Sequence, residues 1–334
     1  MLSVVQNYKK STNIVWCKEK ICIFAQNKNK TIHIMILIAD SGSTKADWTL
    51  LHSPHPQHWD VIATFHTQGI TPIHQSSDVI RQILGHELMP QLSTFPRASL
   101  VNSRALETPL LQQIDISFYG SGCTPAHVPE MKRRLSEFFP TSKIEIHSDL
   151  MAAARALCGR EPGIACILGT GANSCLYDGE QMVQNTPAMG YILGDEGSGA
   201  VLGRLFMNAL YKGRLPQQLR EDFEKETRLT QQDIIQKVYR EPQANRFLAS
   251  TSEFISRHLD VEPLRQLVVQ NFRDFFSHNI VPYQRPDLPV SFVGSMAYHY
   301  ENELQEAARA ESFTVGKVMK SPMEGLIAYH SSLV

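Results

Sequence analysis

A chain of 334 residues that is 43% hydrophobic and 19% charged can bury a core, and its length suits two domains of about 150 residues each; an intrinsically disordered chain is excluded. Its 32 basic side chains balance 33 acidic ones, so the charge gives no reason to expect a nucleic acid or another polyanion as partner. No apolar run approaches the ~20 residues that a membrane-spanning helix needs.

The charge is uneven along the chain. Residues 1–34 hold six of the 14 lysines, none of the 18 arginines, one acid (Glu19), and no Gly or Pro. They lack the order of a signal peptide and the arginines of a transit peptide, and read as a non-core extension with Met35 as the functional start. From Met35 the run Met-Ile-Leu-Ile-Ala predicts a buried strand. It breaks at Asp40-Ser-Gly-Ser-Thr44 and resumes at Trp48, which makes a hairpin with a small polar turn. Residues 61–66 predict a third strand and 75–89 a helix. Then come a strand at 114–119 running into Gly120-Ser-Gly122, a helix at 127–139, a strand at 143–147, and an alanine-rich helix at 149–158 with Asp149 at or next to its start.

The pattern then recurs. Residues 163–168 predict a strand, Gly169-Thr-Gly-Ala-Asn173 a glycine turn, and 174–177 a return strand closed by an Asp178-Gly179 hairpin turn. A loop reaches Gly190-Tyr-Ile-Leu-Gly-Asp-Glu-Gly-Ser-Gly199. Helices are predicted near 196–212, 230–239, 245–259, 262–279 and 298–310, strands at 290–294 and 312–316, and a closing helix at 322–331 behind Ser321-Pro322. Two strand–glycine turn–strand hairpins, at 36–51 and 163–177, duplicate an architecture rather than a short repeat. This excludes a solenoid and predicts two α/β lobes with a cleft between them. The six cysteines (Cys17, Cys22, Cys123, Cys158, Cys166, Cys175) form no C-x-x-C and read as buried, reduced thiols of a cytosolic protein. His52, His55 and His58 are interrupted by two prolines and read as a solvated hairpin tip rather than a metal site.

A phosphate-binding turn needs backbone N–H groups aimed at the anion with no Cβ in the way. Gly42 offers that in Asp40-Ser-Gly-Ser-Thr-Lys45, with Ser43 and Thr44 as hydroxyl donors, although the Walker spacing is absent. Asp40, leaving the strand end, suits a Mg2+ held through water. An ordinary hairpin turn fits the same residues. The second glycine turn makes a pair that could clamp a polyphosphate from both lobes, and Gly294-Ser-Met-Ala297 suits an adenosine ledge. Asp149 reads as a general base in the cleft or as a plain N-cap, and the cap fits the local sequence better. Asp195 and Glu196, flanked by glycines, suit ligand hydroxyls or the first turn of the following helix.

In this order the segments resemble the N-acetylglucosamine kinase-like and BadF/BadG/BcrA/BcrD ATPase family, within the actin-like ATPase superfamily of sugar kinases, Hsp70 and actin. The likeness runs from Met35 to the C-terminus. Residues 36–48 look like the first phosphate motif, 163–174 like the second, and 292–297 like the adenosine motif. Ser148-Asp-Leu-Met-Ala-Ala-Ala154 aligns with the segment of the catalytic aspartate, which points at Asp149. Residues 190–198 are the most specific match, since family kinases bind the amino sugar through this aspartate, here Asp195.

The resemblance implies an α/β fold of two actin-like ATPase (ribonuclease H-like) lobes with an interlobe cleft. Residues 35–155 plus 320–334 would form the N-terminal lobe, with the first phosphate turn, the sugar site and the base. Residues 156–319 would form the C-terminal lobe, with the second phosphate turn, the adenosine site and a helical insert. It implies ATP and Mg2+ as cofactors, Asp149 and Asp40 as catalytic residues, and Asp40 at the metal. ATP would meet Gly42, Ser43, Thr44, Lys45, Gly169, Thr170, Gly171, Ala172, Asn173, Gly294 and Ser295. The sugar would meet Thr71, Ser121, Gly122, Gly190, Tyr191, Asp195 and Glu196. The expected protein is a cytoplasmic homodimer with an amino sugar substrate and neither nucleic acid nor membrane as partner. Its expected reaction is phosphorylation of the 6-hydroxyl of N-acetylglucosamine or a relative.

The likeness also has departures. Gln68-Gly-Ile-Thr-Pro72 offers Thr71 where the family's sugar pocket has an Asn, and Pro187-Ala-Met-Gly-Tyr191 lacks the Trp of human-type enzymes. Glucosamine and N-acetylmuramate therefore stay open as substrates. The zinc-binding cysteines of ROK-type kinases are absent. Two alternatives remain: an ATPase activator that drives a reductase or dehydratase through an iron–sulfur cluster, for which Cys123 and Cys158 lie in candidate regions, and a non-catalytic sugar sensor.

Overall fold

The computed structural model describes residues 34–55, 58–94 and 114–332. The expected extension, residues 1–34, lies outside them apart from Ile34, as do Pro56 and Gln57 of the expected hairpin tip. The first half comprises β1 (Ile34–Ser41), β2 (Lys45–His55), β3 (His58–Gln68), α1 (Ser77–Ile83), α2 (Met89–Thr94), β4 (Ile114–Gly120), α3 (Val128–Phe138), β5 (Ile144–Ser148) and α4 (Asp149–Cys158). A π turn at Leu84–Leu88 joins α1 to α2, so the predicted helix runs on to Thr94.

The second half opens with β6 (Gly163–Leu168), β7 (Ala172–Tyr177) and β8 (Met182–Thr186). Helices follow: α5 (Gly190–Leu193), α6 (Gly199–Tyr211), α7 (Gln217–Thr227), α8 (Gln231–Tyr239), α9 (Ala244–Ser250), α10 (Ser252–Ser256) and α11 (Glu262–Phe275). Then come β9 (Val290–Val293), α12 (Ser295–His299), α13 (Glu301–Ala310), β10 (Val315–Met319) and α14 (Met323–Ser331).

Each half builds one five-stranded sheet on the same plan. The first runs β3-β2-β1-β4-β5 and the second β8-β7-β6-β9-β10. In both, three strands form an antiparallel meander and the last two add in parallel. β1, β4 and β6 are almost wholly buried, as their unbroken apolar runs require of strands covered on both faces.

The alanines of α4 explain how the halves meet. Ala152 and Ala156 pack with Ile38, Leu51 and Leu326 on the first sheet's side. Leu150, Ala153, Ala154 and Leu157 pack with Ala165, Cys175 and Val293 on the second sheet's side. A helix with small residues all round can thus be buried between two sheets. α14 crosses α4 at bare backbone: a Cβ on Gly325 would lie 2.4 Å from the Ala156 carbonyl oxygen. The outer faces of the sheets carry separate cores, under α1–α3 in the first half and α6–α13 in the second.

Several elements differ from the sequence expectation. β8 and α7 were not expected. All but the last residue of β8 are exposed, so it has no apolar alternation, and α7 buries only Leu219 and Phe223. The strand expected at 312–316 begins at Val315, because Phe313 is drawn into the core. The helix expected from residue 196 starts at Gly199, where the Ser198 hydroxyl accepts from the Val201 N–H and caps it. Among the described residues, no helix is long and apolar enough to cross a membrane.

Candidate active site

The β1–β2 ladder sets two carboxylates directly opposite one another, Asp40 against Asp47. Like charges in that position repel. Asp47 is compensated: Lys45 Nζ and His66 Nδ1 each lie 2.8 Å from its oxygens. Burial pushes the Asp47 carboxyl up, but these two hydrogen bonds outweigh it and hold the group below the usual carboxylate range. Asp40 goes the other way. Burial first, then the charges of Asp47 and Asp149, push it up to about 7 against a weaker pull from Lys45. The Lys45 ammonium, expected at the phosphates, is thus committed to Asp47.

Asp149 is the first residue of α4, and the cap is its neighbour. Ser148 Oγ accepts from the Met151 N–H at 3.2 Å, so Ser148 rather than Asp149 is the N-cap of α4. The Asp149 carboxylate accepts the Leu150 N–H (2.9 Å) and the Ser121 hydroxyl, while burial, the larger influence, raises its pKa. Ser121 is set by its own N–H, which donates to the Ser41 carbonyl (2.9 Å). Gly122, at φ 78°, brings its backbone against Thr71 and Ile73, where a Cβ would lie 2.6 Å from Ile73 Cγ2. Thr71 Oγ1 is buried there without a hydrogen-bond partner. The structure therefore gathers Thr71, Ser121 and Gly122 with Asp149.

The first turn is braced from β3. The Gly69 N–H donates to Thr44 O (3.1 Å), and a Cβ on Gly69 would lie 2.2 Å from Gly42 O. The Ser41 hydroxyl both donates to Ile70 O (3.0 Å) and accepts the Ile70 N–H (2.8 Å).

The second turn is braced by α6. The Gly199 N–H donates to Gly169 O (2.8 Å) and the Ala200 N–H to Thr170 O (3.2 Å). Asp195, held at φ 54°, folds back so that its carboxylate accepts the Gly190 and Ala172 N–H groups and lies against Gly171. Burial, with the nearby Glu196 charge, raises it. Glu196 reaches His278 and Asn279 at 3.3 Å each, and Asn173 accepts from Asn185 (2.9 Å). Tyr191 packs on the core of the second half. The expected sugar residues thus form two groups, one around Asp149 and one around Asp195. Gly171, Ala172 and Asn173 serve the second turn's own structure.

Two cavities adjoin these turns. A space of about 590 Å³ is lined by Asp40, Gly42, Ser43, Thr44, Lys45, Asp47 and Asp149 from one side, and by Ile167, Gly294, Ser295 and Lys320 from the other. A smaller one, about 220 Å³, is lined by Gly169, Thr170, Gly199, Arg246 and Ser295, so Ser295 borders both. Among the described residues, no three His, Cys, Asp or Glu side chains gather into a metal cage. What the large cavity offers is two carboxylates without a cation partner among the described residues, Asp40 and Asp149, of which Asp40 is a donor suited to Mg2+ that keeps most of its waters. Cys123 and Cys158 sit in different cores, with burial pushing their thiols up to about 12 and about 11, the range of inert structural cysteines.

No family model and no curated protein matches the chain. Solved structures do. One from Porphyromonas gingivalis, named a "putative N-acetylglucosamine kinase", is 44% identical; the match covers 90% of this chain and 99% of that one, with a TM-score of 0.79. The chain belongs to the N-acetylglucosamine kinase-like family. A structure of the same name from Chromobacterium violaceum, 18% identical over 89% of this chain and 98% of its own, shares the fold at a TM-score of 0.65. The two sheets are accordingly the two α/β lobes of that family's fold.

In this N-acetylglucosamine kinase-like chain, four site residues escaped the motif reading. Asp47 could have been found by counting ladder pairs outward from the first turn. Gly69 sits in Gln68-Gly-Ile-Thr, where a glycine at a strand end signals a close backbone approach. Lys320 directly precedes the Ser321-Pro322 helix start. Arg246 has no local signal at all.

Proposed function

We propose that the protein is an ATP-dependent sugar kinase that phosphorylates the 6-hydroxyl of N-acetylglucosamine or a closely related amino sugar. The main support is the 590 Å³ cavity, in which Asp149 and Asp40 share one space with the first glycine turn and with Gly294 and Ser295 of the other lobe. Phosphoryl transfer needs chiefly positioning and charge stabilisation, and this cavity joins a candidate base to the first phosphate turn and shares Ser295 with the smaller cavity at the second. The name of the 44% identical relative supports the sugar class. We further take residues 35–155 plus 320–334 as the sugar and base lobe and 156–319 as the nucleotide lobe.

The residues fit Mg·ATP on their own chemistry. A cation at Asp40 would relieve its repulsion with Asp47 and Asp149. Bound ATP supplies the phosphoryl group, and Mg2+ neutralises its charge. Asp40 would hold the metal through water; Gly42, Ser43 and Thr44 with Gly169 and Thr170 would hold the phosphates, and Gly294 and Ser295 the nucleoside. Asp149 takes the proton of the sugar hydroxyl as its oxygen bonds to the γ-phosphorus and the bond to the departing ADP oxygen breaks. Burial raises the Asp149 carboxyl and so makes it a stronger base than an exposed aspartate. The Ser121 hydroxyl and the Leu150 N–H fix its direction, and the buried Thr71 hydroxyl beside Gly122 is a ready partner for a sugar oxygen. Lobe closure would bring Asp195, with Gly190, Tyr191 and Glu196, to the other side of the sugar.

A coupled ADP-release assay over N-acetylglucosamine, glucosamine, N-acetylmuramate and glucose tests the reading. Release is expected with at least one amino sugar, and none with the 6-deoxy analogue of that sugar. ADP release with no amino sugar would overturn the reading, and release with the 6-deoxy analogue would overturn the site of transfer.

A further inference from the structure

Arg246 joins the two phosphate turns. Its helix, α9, lies so close on α6 that a Cβ on Gly203 would be 2.0 Å from the Leu248 carbonyl oxygen, and one on Gly199 would be 3.2 Å from Ala249 Cβ. Since α6 is bonded through Gly199 and Ala200 to the second turn, α9 is fixed relative to that turn. From there Arg246 lines the 220 Å³ cavity, and its Nη2 donates across the cleft to the carbonyl oxygen of Ser43 in the first turn (3.1 Å), 203 residues away in sequence. Gln243, held at φ 64° just before the helix, accepts from Nη1 at 2.9 Å and sets the guanidinium's direction.

A guanidinium carries five N–H donors, of which these contacts use two. Among the described residues no carboxylate pairs with Arg246, whereas Lys45 of the first turn is bound to Asp47. An uncompensated cation therefore lines the small cavity, which shares Ser295 with the large one. Any polyphosphate lying across both turns passes it.

We propose that Arg246 binds the phosphates of the nucleotide and draws the two turns together around them. This rests on the kinase reading above and adds a cation that no motif of the chain supplies. Guanidinium–phosphate bonds are charge-assisted and stronger than a guanidinium–carbonyl bond, so the phosphates would compete well for the donors now on Ser43.

The test is titration calorimetry of ATP and of adenosine, without sugar, on the wild type and on Arg246→Met and Arg246→Lys. In the Met variant, ATP is expected to bind about tenfold more weakly or worse, and adenosine, which has no phosphate, within about twofold of the wild type. The Lys variant should fall between, and added salt should weaken ATP binding more in the wild type than in the Met variant. Equal loss of ATP and adenosine, or no loss of ATP, overturns the role of Arg246 while leaving the kinase reading in place. A wild-type protein that binds no adenine nucleotide removes both. Matching thermal melts of the three proteins show that the comparison is between folded molecules; should the Met variant not fold, the Lys variant carries the test through its ATP-to-adenosine ratio.

Discussion

The two lobes share a backbone plan and differ in charge. β1 corresponds to β6, β2 to β7 and β4 to β9. The ladder pair Asp40–Asp47, one step in from Ser41–Ala46, corresponds to Ile167–Asn173, one step in from Leu168–Ala172. Asp149, the first residue of α4, corresponds to Met323, the first residue of α14. All three carboxylates around the first sheet thus have neutral counterparts around the second, and Ile167 lines the same large cavity as Asp40 and Asp149. A phosphate cradle can be made twice from glycines and small residues, because it uses backbone N–H groups. Carboxylates cannot be doubled so freely. Asp40 already sits at about 7 beside two others, and more acid in the same space would raise it further.

The sharpest break of this asymmetry is Asp149→Asn, which should lower kcat by two or more orders of magnitude and leave ATP affinity nearly unchanged by calorimetry. Next comes Asp40→Asn, expected to cost about a hundredfold in turnover. Adding Ile167→Asp should fail to restore it; recovery in that double variant would show that the lobes are interchangeable. A third effect is one of stability in metal-free buffer with EDTA. The folded state keeps the Asp40 proton up to about pH 7, whereas the unfolded chain loses it near 3.8, so the folded state binds more protons between those values. The Asp40 contribution to wild-type stability should therefore fall as pH rises from 4 to 7, and Asp40→Asn should be the more stable protein at pH 8 by about 2 kcal/mol, a discounted value because the side chain keeps some contact with solvent. At pH 4 chemical denaturation should show the two as equals.

A stability effect of similar size has the opposite sign. His330 of α14 is buried against Tyr119, whose hydroxyl lies 2.9 Å from Nε2, and burial, with the Arg155 charge, pushes it down to about 4. The unfolded chain binds this proton below about 6.5, so the His330 contribution to stability should drop by about 1 kcal/mol per pH unit as pH falls towards 4. His330→Gln should flatten that slope in the same denaturation series.

Much of the plan was legible because both hairpins are written as apolar runs broken by glycine, a contrast that survives without tertiary context. β8 was not, because an edge strand held by pairing to β7 needs no apolar face. The role of Asp149 turned on a single residue: Ser148 and Asp149 are both good caps, and only the backbone shows which one sits outside the helix. Arg246 and Lys320 were illegible for a different reason. They reach the site by chain closure over long separations, and no local pattern records that.

The bare crossing of α14 on α4 bears on the chemistry as well as the packing. Gly325 meets Ala156 seven residues, or ~10 Å of helix, from Asp149. With only the Ala156 methyl and backbone at the Gly325 contact, the two helices work as a lever on that bearing. A methyl at position 325 would act as a shim at the fulcrum and tilt the far end of α4. Errors of ~1 Å in the place of a reacting group can cost a hundredfold in rate. On the proposed reading, a glycine ~10 Å of helix away from Asp149 would thus set the aim of the base.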